Sequence, residues 1–115
     1  MAIKYPFGHA DVQAITGSGA NTVAVSDLLT IVNLSSMTGA VTINLTFGDA
    51  LQVGERMIIK VVQDTTGRNV VLGTGFGASA ADLTGVASDE DIIELYYDGT
   101  SMINLAGWQK IVDAA

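Results

Sequence analysis

The chain has no cysteine, a single proline and a single histidine, and each scarcity removes a class of chemistry. Without cysteine there is no disulfide framework, no thiolate nucleophile and no thiolate metal centre. His9 has no second histidine and no suitably spaced carboxylates beside it, so it reads as an ordinary surface or packing residue rather than a metal ligand. Serine and threonine are abundant, but no base other than His9 could activate one. The expectation is a protein that is not an enzyme, with no catalytic residues, no metal and no cofactor.

Basic residues are scarce too. Five stand against twelve acidic ones, a net charge of −7, which opposes approach to nucleic acid phosphates or to an anionic membrane surface. Apolar runs are only a few residues long, against the ~20 needed to cross a bilayer, and MAIKYPFGHADVQ lacks a signal-peptide hydrophobic region. This predicts a soluble product of a cytoplasm, with neither nucleic acid nor membrane as partner.

What the chain does have is apolar content and turns. Its 115 residues are 49% hydrophobic, enough for one domain with a real core, and 13 glycines among β-branched runs favour short strands over a helical bundle. The stretch GERMIIKVVQDTTGRNVVLGT (Gly54–Thr74) reads as strand, tight loop and strand, hence a hairpin. Met57, Ile59 and Val61 take one face; Arg56, Ile58, Lys60 and Val62 take the other, which is too apolar to be left fully wet. Val41, Ile43, Leu45 and Phe47 alternate with Thr42, Asn44 and Thr46 in a half-buried strand. Gly17–Asn21 and Ser35–Gly39 read as turns. Ile93 and Leu95 point inward from Ile92–Tyr97, and a three-residue loop with Gly99 left-handed would align them with Ile103.

Residues 1–14 read as an N-terminal arm, distinct from a β-domain at 15–115, because they lack a period and carry Tyr5, Pro6 and Phe7, which would order against a capsid or a neighbouring subunit. Trp108 reads as an anchor in this core or in a neighbour. Gly73-Thr74-Gly75-Phe76-Gly77 lacks the spacing and following helix of a dinucleotide-binding loop, and Ser88-Asp89-Glu90-Asp91 reads as a solvated strand entrance.

Gln63-Asp64, Thr66-Gly67-Arg68 and Val70, followed by Asp91 and then Tyr96-Tyr97-Asp98-Gly99-Thr100, resemble an ordered pair of motifs in a family of bacteriophage tail-fibre and head-decoration modules. The resemblance covers about Thr38 to Ala106. It implies an all-β fold, a small antiparallel, jelly-roll-like β-sandwich, assembled as a homotrimer on the virion. A chain of this size, beginning at Met1 and ending soon after the module, looks like a free-standing capsid decoration protein made in the host bacterium. It would stabilise the outer surface of the head, with the major capsid protein as partner. The alternative is a tail-fibre or receptor- and carbohydrate-binding module. Ile58, Val62 and Trp108 are the expected subunit interface.

Overall fold

The computed structural model describes residues 10–26 and 29–113. The described chain is all-β, without a helix, and its seven strands form one mixed sheet. They are β1 (Ala10–Val25), β2 (Leu29–Phe47), β3 (Arg56–Val62), β4 (Val70–Leu72), β5 (Glu90–Tyr97), β6 (Met102–Asn104) and β7 (Gln109–Val112). β1 begins inside the stretch read from the sequence as an arm; Tyr5, Pro6, Phe7 and His9 lie outside the described residues.

The expected all-antiparallel order is corrected for the first part of the chain. β1 runs parallel to β2 along its whole length, from Ala10↔Leu29 to Val25↔Phe47. β3 lies parallel to Thr30–Leu34 of β2, and β4 lies parallel to Val41–Ile43 of the same strand. β3 and β4 are therefore not a hairpin: they are one pass of the chain, interrupted at 63–69, alongside β2. Period-two alternation states which side chains are buried but not which way the next strand runs, so a turn-rich loop between two strands was compatible with either course.

These pairings force the strands to curl. Val25 and Leu29 are four residues apart and so within about 14 Å of each other, whereas β1, if straight, would separate its ends by about 50 Å. Ala10 is the partner of Leu29, so both ends of β1 must lie at the same side of the molecule. A side-chain bond shows the closure: Gln13 Nε2 donates to the carbonyl oxygen of Ala24 at 2.8 Å, eleven residues along the same strand. β1, β2 and β3–β4 are thus successive rungs of a parallel coil. Its corners fall at the segments expected to be turns. Gly17 and Gly19 have φ of 87° and 85°, Ser36 has φ of 51°, and the β1–β2 register shifts there.

Inward residues of the rungs stack into one core. Ile15, Leu34 and Val61 are in register across three rungs, as are Val32 with Ile59 and Val41 with Val70, and all are buried. Opposite walls of the coil face each other across this core. β5 then closes one end of the stack, running antiparallel to β3, with β6 and β7 paired to β5 on its far side. The β5–β6 loop corrects the three-residue expectation. Tyr97 pairs with Met102, so four residues, Asp98–Ser101, make the turn and the buried residue is Met102 rather than Ile103. Asp98 explains the length: one carboxylate oxygen accepts from the backbone N–H groups of both Thr100 and Ser101. Gly99 has the positive φ expected of it.

Candidate interaction surface

The outward parity of the first wall brings apolar residues from four strands and a loop into line. Val12 pairs with Ile31, Ile31 with Ile58 and Ile58 with Glu94, whose carbonyl accepts from the N–H of Leu105. The adjacent row runs Asn33, Lys60, Ile92, Gln109. Val12 and Leu105, at opposite margins, are 59% and 55% exposed. Between them Ile58 and Ile92 line a cavity of about 360 Å³, walled by Leu105–Gly107, Gln109 and Glu94. Two ion pairs stand on the same wall, Arg56 to Glu94 at 3.0 Å and Lys60 to Glu90 at 3.6 Å. The wall is apolar at its centre and locally neutral, its four charges paired, on a chain of net charge −7.

Of the residues expected at a subunit boundary, Ile58 and Val62 are half-buried on the outward parity of β3, with Ile58 at the centre of the wall. Trp108 packs against the core from the β6–β7 link and donates its indole N–H to the carbonyl of Ala81 at 2.8 Å, which ties the loop before Leu83 to the link. Val12, Ile31, Ile92 and Leu105 were not singled out from sequence. Each is an isolated outward residue on its own strand, and only the parallel register places them side by side.

The acidic stretch at 88–91 is corrected from a solvated entrance to a buried one. Asp89 is fully buried and Asp91 nearly so. Lys110 of β7 binds Asp89 Oδ2 directly and stands 3.6 Å from Asp91 Oδ1. Burial pushes the Asp91 carboxyl above its ordinary value of 3.8, opposed by Lys110 and reinforced by Asp89, and its Oδ2 has no hydrogen-bond partner. Hydrogen bonding to Asp89 raises Lys110. One cation shared by two carboxylates is a clasp that fastens β7, whose side chains are all exposed, to the end of β5. Among the described residues no cluster of His, Cys, Asp and Glu is arranged to hold a metal ion.

The motif residues behind the resemblance act on their own loops. The buried side-chain amide of Gln63 copies a strand, its Nε2 donating to the Arg68 carbonyl at 2.8 Å and its Oε1 accepting from the Arg68 N–H at 2.9 Å. Asp64 accepts from the N–H of Thr66. Gly67 and Gly85 let this loop cross the 84–86 backbone closely; a Cβ on Gly85 would fall onto the backbone of Arg68. Tyr97 donates its hydroxyl to the Gly99 carbonyl and packs on Phe47 with ring centroids 4.9 Å apart. Asp98 holds the four-residue turn, and its bonds to Ser101 and Thr100 lower its pKa.

Residues 15–102 match the model of a family described as "Putative phage tail fibre C-terminal domain". No curated protein matches the chain.

Proposed function

The chain belongs to the phage tail fibre C-terminal domain family, and with it to the structural proteins of the virion; from that premise we propose that it is a module of a tail fibre rather than a decoration of the head. The observation that carries this reading is the family match over residues 15–102, which spans the three rungs and reaches β6. The module works by association: copies meet through the neutral wall around Ile58 and Ile92, as a homotrimer, while the acidic remainder of the surface keeps free copies apart. Carbohydrate recognition through Tyr96, Tyr97, Asp98 and Trp108 is the less favoured reading, because Tyr97, Asp98 and Trp108 spend their polar groups on the chain's own backbone.

Gold-labelled antibody against the chain, imaged on intact particles by electron microscopy, tests the assignment. Label at the tail is the expected result. Label confined to the head would restore the capsid decoration reading, with the major capsid protein as partner.

A further inference from the structure

The two ends of the coil are finished differently. At one end β5 runs antiparallel over β3, and the strands beyond it, β6 and β7, are three and four residues long. At the other end lies β1, sixteen residues long, whose partner among the described residues is β2 alone. Long free edges are normally blunted by lysine, proline or inward-pointing charge, because their unpaired N–H and C=O groups recruit other strands. β1 carries one charged residue, Asp11, and neither lysine nor proline.

At the corners, the described strands continue on one side of β1 only. On β2, a Cβ at Gly39 would meet Ser18 of the rung beneath it at 3.1 Å. On β1, a Cβ at Gly17 or Gly19, both at positive φ, would meet no described atom within 4 Å. The backbone of β1 alternates accordingly. The Val25 carbonyl accepts from the Gly48 N–H on the β2 side, so those of Ala24 and Thr22 face away. The Ala24 carbonyl is met by the amide of Gln13, a side chain standing where a strand would. Ala14, Ser18, Ala20, Thr22 and Ala24 are small and exposed on the outward face of the same strand.

We infer that the free edge of β1 is a strand-addition site, and that its occupant is an extended segment of a second polypeptide, the fibre body, laid parallel to β1 as a further rung. Only another extended backbone pairs with a row of alternating donors and acceptors, which fixes the class of partner. A parallel course continues the order of the rungs already present, in which β1, β2 and β3–β4 all run the same way. The identity of the second polypeptide rests on the tail-fibre reading; the edge itself does not.

Hydrogen–deuterium exchange of the isolated chain, compared with the same chain in purified phage particles, tests this. Amides of β1 are expected to exchange at least tenfold more slowly in particles, with the exposed loop at 78–82 unchanged. Thr22→Pro removes one edge-facing N–H without touching the β2 ladder, and should fold while entering particles at least tenfold less well. Should this variant fail to fold, the exchange comparison on the unmodified chain decides alone. Equal exchange of β1 in both states overturns the proposal. So does protection already present in the isolated chain: if lost on removing residues 1–9, the occupant is the chain's own N-terminal segment, and if rising with concentration, it is a second copy. Antibody label separates this from the reading it rests on. Tail label with unprotected β1 overturns strand addition alone, whereas head label with protected β1 overturns the fibre as occupant.

Discussion

Asp91 and Asp98 carry opposite pKa shifts, and their contributions to stability should run in opposite directions with pH. Asp91 is raised by burial, so the stability linked to its protonation is complete below about 3.8 and is lost as pH rises through the raised folded value. Asp98 is lowered by the Ser101 and Thr100 N–H groups, so its contribution is present above 3.8 and lost as pH falls through the depressed value. Asp91→Asn should therefore compare best with the parent at pH 7 and lose ground on acidification, whereas Asp98→Ala should be worst at pH 7 and approach the parent as pH falls below 3.8 through the depressed value. Thermal melts of the three proteins at several pH values measure both trends, and parallel curves would mean that neither carboxyl is coupled to folding. Gly85→Ala belongs to the same scale. Its methyl group would fall on the Arg68 backbone, which the Gln63 amide holds in place, so a loss of about 3 kcal/mol or more is expected from chemical denaturation.

For the elements, burial gives the sharpest checks. Ile59 and Met102 are fully buried, so truncating either to alanine should cost about 2–5 kcal/mol, whereas Ile103→Ala, at a half-buried position, should cost less. Equal losses at 102 and 103 would contradict the four-residue turn. The inner faces of these strands were legible because alternation reports burial directly: Val41, Ile43, Leu45, Met57, Ile59, Val61, Ile93 and Leu95 are all buried as expected. Their arrangement was not legible. Gly17 and Ser36 bend strands that continue, and a glycine with positive φ looks the same in sequence whether it ends a strand or turns a corner. The Lys110 clasp was hidden for a related reason. Its partners are 21 and 19 residues away, and acidic residues entering a strand give no sign that a lysine on a later strand will bury them. The outward wall was half visible, through Ile58 and Val62, since one strand's mixed face can be read alone while its neighbours' cannot.

At the scale of the whole molecule, a locally neutral wall stands on a chain of net charge −7, and that difference makes self-association testable. Both ion pairs on the wall lie within one chain, so two walls can meet without burying an unpaired charge, while the remaining acidic surface repels. Added salt screens that repulsion over a Debye length of about 8 Å at physiological ionic strength and should strengthen association rather than weaken it. Light scattering after size exclusion should give about three times the chain mass of 11.9 kDa, at lower protein concentration in 0.5 M than in 0.05 M sodium chloride. Val12→Glu and Leu105→Glu probe the margins of the wall at positions already more than half exposed, so each should leave the fold intact. Placing a carboxylate where another copy must come close should yield monomers with an unchanged melting profile. A parent protein that stays monomeric at both salt concentrations, or a trimer indifferent to both substitutions, would show that copies do not meet through this wall.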